Sequence, residues 1–337
     1  MLRTIVRRLI AVPLLLLGVV TIAFLLSNMT KGDPLVAIVG ERQMTNPEVV
    51  AAAKARWGLD RPLPERYLVY VGNLLTGDLG TSFRTKRPVA QDLMARLPAT
   101  LELVIAAMIV GIVGGVSLGV AAAHFRDKGM DHAARVLALL GSSVPVFWSG
   151  LLMLYVFSVV LGWLPGPGRL DPRMAAPPGV TGFYTIDALI AGDWPAFVDA
   201  LRRLILPAIV LGWAVLGIIT RLVRASMLDV LGQDYILAAR SKGATERRVL
   251  FNHALRNAMI PTLTIIGFSF AYLITGAVLT EAVFSWPGIG TYAVDAARAL
   301  DYPAIIGVTI VGGAAFLLTN LVTDIAYALA DPRVKLG

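Results

Sequence analysis

Residues 101–123 read LELVIAAMIVGIVGGVSLGVAAA, and this stretch decides the fold class. A helix rises about 1.5 Å per residue and the hydrocarbon core of a bilayer is about 30 Å thick, so about 20 mostly apolar residues can cross it. Glu102, the one charged residue, lies at the start of the run. The stretch therefore predicts a transmembrane helix.

Five further apolar runs predict five more spans. The backbone must satisfy its own hydrogen bonds in lipid, and these runs are too long for barrel strands, so we expect an all-α integral membrane protein with six transmembrane helices. Hydrophobic residues make up 57% and charged residues 15% of the 337 residues, which excludes a purely soluble chain. The other runs are 9–27, 136–163 (long enough to tilt), 204–220 (the shortest), 257–280 and 302–323.

The first run could be a cleaved signal peptide, because Arg3, Arg7 and Arg8 precede it. The run is long, however, and residues 26–29, LSNM, lack a small-x-small cleavage site. We therefore expect a retained anchor helix.

The placement of lysine and arginine predicts that both termini are cytoplasmic. With the N-terminus inside, segments 1–8, 124–135, 221–256 and 330–337 face the cytoplasm and hold half of the 30 basic residues. The 28–97 segment exceeds the length to which the rule applies. The net charge of +8 is assigned to the cytoplasmic side, which favours the lipid bilayer and partner proteins and leaves no support for a nucleic-acid partner.

The 28–97 segment is predicted to be an extracytoplasmic insert that packs on the bundle as a small cap. Residues 46–48, Asn-Pro-Glu, have the pattern of a helix start, and Gly58 has that of a helix end. Residues 65–75 predict a second short helix. The second outward segment, 164–200, contains clusters of proline and glycine and predicts ordered turns or loops.

Small residues recur at every fourth position of the 101–123 run. Such a stripe lets another helix approach closely in lipid. We interpret it as static helix packing, with a moving helix interface as the alternative. The residues are Ala107, Gly111, Gly115, Gly119 and Ala123.

Residues 233–243 read QDYILAARSKG and predict a short helix outside the membrane. Asp234 is a good N-cap residue, and Arg240 and Lys242 suit the negative end of the helix dipole. Gly243 fits the left-handed position that commonly follows a helix. The segment is therefore a well-specified surface helix.

A second helix is predicted directly after the first. Thr245 can cap it, with Glu246 in its first turn, and it continues toward residues 260–261. The small Ala238 and Ala239 of the first helix suit insertion into a groove of another protein. The alternative is an amphipathic helix that lies on the lipid surface.

The stretch 234–261 resembles the coupling loop of binding-protein-dependent ABC importer permeases, whose core here is Ala238-Ala239 and Gly243. More specifically, motifs along nearly the whole chain resemble the dipeptide and oligopeptide permease branch, and the 179–212 segment is most similar to dipeptide permeases. The motifs are GDP at 32–34, GLDRP at 58–62, GDLG at 77–80, HALRNA at 253–258, FSWPG at 284–288 and DPR at 331–333.

Two features depart from the general pattern of these permeases. Leu237 stands where the general motif has glutamate, so no acidic role carries over to that position. The distance from Gly243 to residues 260–261 is also longer than in the compact form of the motif. Both departures are usual in the peptide branch, and we interpret them as a mark of that branch.

The resemblance implies a type I ABC importer transmembrane fold in a bacterial inner membrane. It implies an N-terminal helix with the insert over 1–95, a five-helix transmembrane domain over 96–328 with the coupling loop at about 226–260, and a cytoplasmic tail over 329–337. Seven residues are then expected to couple the chain to an ATPase. They are Asp234, Tyr235, Ala238, Ala239, Arg240, Lys242 and Gly243.

The resemblance also implies the partners. These are a second homologous permease, two cytoplasmic ATPases that bind ATP and Mg²⁺, and an extracytoplasmic peptide-binding protein. This chain would hold no cofactor itself, and it contains no Gly-Lys pair and hence no phosphate-binding P-loop. The substrate (a dipeptide, a longer peptide, haem or another peptide-like solute) and the residues that bind it stay open.

Two other classes of function compete with this interpretation. An intramembrane enzyme or metal site has little support, because there is no cysteine and only three histidines, His124, His132 and His253. An ion-coupled secondary transporter would be expected to carry ionisable groups mid-membrane. Glu102 and Glu281 instead lie toward span ends.

Several polar and aromatic residues lie near the predicted span ends. Asp324 is expected to pair locally with Asn320, with a role in transport as the alternative. Arg221 and Arg224 are expected to be interfacial anchors, with contact to a partner subunit as the alternative. The tryptophans Trp163 and Trp286 are expected to belong to an interfacial aromatic belt.

Overall fold

The structure, a computed structural model, describes residues 2–29 and 34–330, and the regular secondary structure of these residues is helical. Within these ranges the only β-pairing is an isolated bridge between Thr81 and Pro88. A 3₁₀ turn covers Glu41–Gln43, and two π-helical segments cover Tyr155–Val160 and Val249–Ala254. The helices are α1 (Leu2–Met29), α2 (Pro34–Val39), α3 (Pro47–Trp57), α4 (Leu63–Leu75), α5 (Val89–His124), α6 (Gly129–Ser143), α7 (Val146–Leu154), α8 (Tyr184–Ile190), α9 (Trp194–Leu231), α10 (Asp234–Ser241), α11 (Glu246–Arg248), α12 (Leu255–Val283), α13 (Ile289–Arg298) and α14 (Tyr302–Ala330).

The predicted all-α membrane fold is confirmed. In the described part of the chain, four helical stretches are long and apolar enough to cross a membrane: α5, α9, Pro261–Val283 of α12 and Tyr302–Thr323 of α14. The bent pair formed by α6 and the Val146–Val160 helix is a fifth if it counts as one span. α1 contains the shorter apolar stretch Val12–Leu26. Five of the six predicted runs therefore lie wholly in helices, and the third does so except at 144–145 and 161–163.

The third predicted run, 136–163, is not one tilted helix. It breaks between α6 and α7, and the two halves meet at 108°. Val144 at the break is extended (φ −84°, ψ 130°) because Pro145 follows it, and a residue before proline avoids the helical region. α6 then lies against α9, burying Ala134 and Ala138.

The fourth run was predicted as the shortest, and α9 is instead the longest helix of the described chain, with 38 residues. The carboxylate of Asp193 accepts a hydrogen bond from the Ala196 amide at 3.0 Å and caps its start. The helix includes residues 194–200 of the predicted loop, and that segment also contains α8, so its interpretation as turns was partly wrong. α9 extends beyond its apolar run because the arginines that flank the run form ion pairs and hydrogen bonds within the chain; Arg203, for example, contacts Asp199 at 2.8 Å.

The core of the bundle is the contact between α5 and α9. The small-residue stripe of α5 faces α9 along its length: a Cβ atom added at Gly111, Gly115 or Gly119 would lie 2.7–2.8 Å from side-chain carbons of α9. Residues 115–119 also match the Gly-x-Ser-x-Gly pattern of hydrolase nucleophiles. They lie inside a continuous helix, so the strand-to-helix turn which that chemistry requires is missing here.

The insert forms its two predicted helices and packs on α1. The side chain of Asn46 accepts a hydrogen bond from the Glu48 amide, and Gly58 ends α3 in the left-handed conformation (φ 63°). Tyr67 of α4 contacts the Phe24 ring edge-on at 5.4 Å between centroids, and its hydroxyl lies 2.7 Å from the Thr21 hydroxyl. This part of the chain is a small cap on the bundle.

The order of the helices places the connecting segments at two opposite ends of the bundle, which we call the insert end and the loop end. The insert end holds the insert, the 164–193 segment and the turn between α12 and α13. The loop end holds the turn after α5 and the 232–254 segment. Five features singled out in the sequence lie wholly or partly outside the residues or side chains that the structure describes: the motifs at 32–34 and 331–333, the 329–337 tail, the side chain of Asp324 and the side chains of Arg3, Arg7 and Arg8.

Candidate functional site

At the loop end, α10 is fixed to the bundle by one buried side chain. Ile236 is fully buried in the core cluster that also contains Met227 and Val249. Gln233, not Asp234, occupies the N-cap position, and Asp234 is the first helical residue. The predicted start was thus one residue late.

The end of α10 has the geometry that its sequence predicts. Lys242 is the C-cap residue, and Gly243 follows in the left-handed region with φ 80°. No atom outside its immediate neighbours lies within 4 Å of a Cβ built on Gly243, so only the backbone conformation demands glycine there. The turn is conformationally specified and sterically open.

Two side-chain contacts tie α10 to the helix that follows it. Arg240 donates a hydrogen bond to Glu246 at 2.8 Å, near the C-terminal end of α10. The side-chain amide of Asn257 donates to the Tyr235 hydroxyl at 2.7 Å, near the N-terminal end. α10 is therefore held at both ends by the same helical segment.

The remaining face of α10 is open. Leu237 is 65% exposed, Ala238 is exposed, and Ala239 is half-buried. An exposed leucine beside a small alanine makes a shallow apolar surface. Because exposed apolar side chains bury area when a partner docks, this face is the candidate docking surface at the loop end.

The helix after α10 runs directly into the membrane. Thr245 occupies the N-cap position by backbone geometry, although its side chain makes no capping bond. α11, the π-helical segment Val249–Ala254 and α12 then follow one another without a break. The fifth span, predicted to begin at 257, is therefore the continuation of the loop-end helix.

Arg224 and Arg221 differ in their surroundings. Arg224 donates two hydrogen bonds to the buried carboxylate of Asp131 on α6, at 2.6 and 2.7 Å. Arg221 is exposed and donates to the Ser142 hydroxyl at 3.0 Å. The expectation of an interfacial anchor is therefore wrong for Arg224, which joins α6 to α9 inside the chain.

A buried ion pair that sequence reasoning missed lies at the insert end. Arg169 donates from Nη2 and Nε to Oε2 of Glu102, at 2.6 and 2.9 Å, and both side chains are more than nine-tenths buried. The amide and hydroxyl of Thr185 donate to the other carboxylate oxygen, at 2.9 and 2.6 Å. The pair fastens the 164–185 segment to α5. Glu102 at a span end was the available signal, because such a group needs a partner.

Glu281 is also buried at the insert end, and its carboxylate accepts hydrogen bonds from the Thr100 hydroxyl at 2.6 Å and the Thr291 amide at 2.9 Å. Trp286 is fully buried and donates from its indole nitrogen to the Ala99 carbonyl at 2.8 Å. The predicted aromatic belt is therefore wrong for Trp286, whereas Trp163 is exposed. Position at a span end cannot distinguish a core-facing tryptophan from a lipid-facing one.

Asp187 organises the turn before α8. It accepts hydrogen bonds from the amide and hydroxyl of Thr181, both at 2.7 Å, and from the Gly182 amide at 2.8 Å. Burial by itself raises the pKa of this carboxyl, but the hydrogen bonds outweigh burial and hold the pKa below its usual value. The turn therefore depends on an ionised Asp187.

Residues 115–336, which include α10 and most of the bundle, match the family described as binding-protein-dependent transport system inner membrane component. The chain belongs to this family. Residues 1–104 match the description of the N-terminal part of such membrane components. Together the two matches account for both the insert and the helices that carry the loop end.

Relatives of this permease are similar over nearly their full length. The di/tripeptide transport system permease of Pseudomonas aeruginosa (strain UCBPP-PA14) is 46% identical over 94% of this chain and 94% of its own. Two permeases of Escherichia coli (strain K12) are each 42% identical. The probable D,D-dipeptide permease covers 96% of this chain and 95% of its own length, and the dipeptide permease covers 99% of each. A crystal structure of an amino acid ABC transporter with histidines aligns with 73% of this permease and 95% of that chain, at 14% identity and a TM-score of 0.47, which is too weak a likeness to bear on the fold.

Proposed function

We propose that this chain is the permease subunit of an ATP-driven importer of dipeptides and similarly short peptides, and that it forms half of the translocation pathway. The observation that carries the proposal is α10, a firmly anchored helix whose Leu237 and Ala238 face away from the rest of the described chain. The names of the three relatives support the substrate class.

The partners follow from the family. A second homologous permease completes the pathway, two cytoplasmic ATPases bind ATP and Mg²⁺, and an extracytoplasmic binding protein delivers the peptide. The loop end and both termini then face the cytoplasm of a bacterial cell, and the insert faces outward. Exposed Arg240, Lys242, Arg247 and Arg248 at the loop end support this orientation, because cytoplasmic loops are rich in basic residues.

The contacts around α10 explain how an ATPase would drive the bundle. When the ATPase dimer closes on ATP, it pushes on the exposed face that contains Leu237. Ile236 shares a buried cluster with Val249 and Leu250, so the push reaches the π-helical segment and α12 directly. The contacts of Arg240 and Tyr235 keep α10 and the following helix moving as one unit.

The test is to replace Leu237 by aspartate in the tagged permease and to measure which chains co-purify from native membranes. Leu237 is exposed, so folding is preserved, but a charge at the centre of the docking face is expected to weaken ATPase binding at least about tenfold. Leu75→Asp makes the same change at an exposed leucine of the insert and is the matched control. Equal ATPase recovery from both variants would contradict the docking face.

Gly243→Val tests the coupling step after docking. A β-branched residue at φ 80° strains the turn by about 1–3 kcal/mol, so ATP-dependent dipeptide uptake in reconstituted vesicles is expected to fall while the chain still inserts. Gly232→Val is the control, since Gly232 has φ −81°. A wild-type chain that purifies without any ATPase, and takes up peptide on an ion gradient alone, would replace this proposal with an ion-coupled carrier.

A further inference from the structure

A cavity of about 410 Å³ lies where the insert meets the bundle, and the proposed transport cycle assigns it no role. Phe24 and Asn28 line it from the last turns of α1, and Tyr302 and Ile306 line it from the first turns of α14. The ends of membrane-crossing helices lie at the level of the lipid headgroups. The cavity is therefore placed at the membrane–water interface on the insert side.

The side chains that line the cavity include two cations. Among the described residues that line it, Arg61 and Arg66 are the charged ones, and none is acidic. Arg66 is half-buried, and its guanidinium has no hydrogen-bond or ion-pair partner within the described chain; burial lowers its pKa. Arg61 is half-exposed and forms an ion pair with the exposed Glu65 at 3.4 Å. An unpaired, partly buried cation is costly unless an anion joins it.

The cavity also offers neutral hydrogen-bonding groups. The Tyr70 hydroxyl is buried and has no partner in the described part of the chain. Burial, followed by the charge of Asp78, raises the pKa of Tyr70 to about 12, so the hydroxyl keeps its proton and can donate. The amides of Asn28 and Asn73 lie in the same lining. These groups suit the phosphate and glycerol oxygens of a headgroup.

One wall of the cavity is apolar. Phe24, Phe83 and Ile306 are buried behind it, and Val69 of α4 lines its edge with an exposed side chain. On α1, the exposed Leu25 adjoins Phe24 and continues this apolar surface toward the bilayer. A cavity with cationic and apolar walls is complementary to an amphiphile and not to a small hydrated ion.

We propose that this cavity binds the headgroup of an anionic phospholipid, with the phosphate at Arg61 and Arg66 and an acyl chain leaving along α1. Guanidinium groups bind phosphate oxygens in bidentate fashion. Such a lipid would fill the gap between α1, α4 and α14 and so fix the insert on the bundle. The proposed function leaves two sequence motifs unexplained, GLDRP at 58–62 and GDLG at 77–80. Both line the cavity, the first through Gly58 and Arg61 and the second through Gly80.

The test measures lipid retention on the intact transporter complex by native mass spectrometry. The wild-type complex, exchanged into nanodiscs of mixed phosphatidylglycerol and phosphatidylethanolamine and then released, is expected to retain phosphatidylglycerol. Arg66→Gln is expected to lower that retention about tenfold, the equivalent of one charged hydrogen bond. Arg87→Gln removes the same charge from an exposed arginine of the insert that does not line the cavity, and it is expected to retain the lipid.

Tyr70→Phe keeps the ring and removes only the hydroxyl, so it tests the site even if the Arg66 variant folds poorly. It is expected to lower retention severalfold with an unchanged melting temperature. Equal retention by wild type, Arg66→Gln and Tyr70→Phe would overturn the proposal, and so would equal retention of phosphatidylethanolamine. Displacement of the lipid by inorganic phosphate would identify a simple anion site, and displacement by a dipeptide would identify a substrate site; either result also overturns it.

Discussion

Replacing Gly115 by alanine is expected to destabilise the protein by about 1–2 kcal/mol. The new Cβ would lie 2.7 Å from Cβ of Ile219 and 3.1 Å from the Leu216 carbonyl oxygen on α9. Carbon atoms in contact lie about 3.5–4.0 Å apart, and neither of these two atoms can rotate away, so the helices must separate by about 1 Å. Because both clashing atoms are fixed, we expect a cost in the upper part of the overpacking range, about 2–3 kcal/mol, of which the better helix propensity of alanine returns about 1 kcal/mol.

The neighbouring glycine provides the control. A Cβ at Gly114 would meet Cδ1 of Leu216 at 2.6 Å, and that terminal methyl group can rotate out of the way. Gly114→Ala is therefore expected to be neutral or slightly stabilising. The two variants differ only in which atom of α9 the added methyl group meets.

The assay is thermal unfolding in detergent, followed by the fluorescence of the six tryptophans. At about 2–4 °C per kcal/mol, Gly115→Ala is expected to melt about 2–8 °C below wild type, and Gly114→Ala at or above it. Equal melting temperatures for the two variants would refute the close contact between α5 and α9. The stripe would then face lipid instead.

Three further predictions concern stability in the same assay. Arg224→Met leaves the buried carboxylate of Asp131 without its two strongest hydrogen bonds, so it is expected to destabilise the protein by about 3 kcal/mol. Arg221→Met changes an exposed arginine and is expected to cost under about 0.5 kcal/mol. Similar losses for the two variants would contradict the buried ion pair. Because the pKa of Asp187 is lowered on folding, its contribution to the free energy of unfolding is present at neutral pH and is lost as the pH falls below about 4. The Asp187→Asn variant is therefore expected to have a lower melting temperature than wild type at pH 7, and its melting temperature is expected to change less on acidification. Trp286→Phe loses one buried hydrogen bond and part of a buried ring, so a loss of about 2–3 kcal/mol is expected, and a surface tryptophan would show almost none.

Local chemistry made much of the fold predictable. The helix of residues 47–57 forms between Asn46 and Gly58 because a side-chain cap and a left-handed glycine act within a few residues of each other. Gly243 adopts φ 80° for the same reason. Five of the six apolar runs lie wholly in helices, and the sixth lies mostly in helices, because hydropathy and the need for internal hydrogen bonds act on the segment itself.

What the sequence could not predict depends on contacts between distant segments. α9 continues past Arg224 because Asp131, far away in the chain, neutralises the guanidinium. Trp286 is buried because the turn that carries it folds back onto α5, where its indole meets the Ala99 carbonyl. A hydropathy pattern shows that Arg224 is charged and that Trp286 is aromatic, but it does not show which distant residue each one contacts. The predicted fourth span was therefore too short, and Trp286 was wrongly assigned to the interfacial belt.

The length of α9 has a mechanical consequence. At about 1.5 Å per residue its 38 residues span about 57 Å, nearly twice the hydrocarbon thickness, although Pro207 lies within it. A Cβ at Gly212, midway along it, would lie 2.5 Å from the Ala107 carbonyl oxygen, so the two helices touch backbone to backbone there. The approach is nearly as close at Gly119, where an added Cβ would lie 3.0 Å from the Thr220 carbonyl oxygen. α5 and α9 are therefore held together at several levels and act as one stiff rod, so that a displacement of α9 at the loop end is carried with α5 toward the insert end.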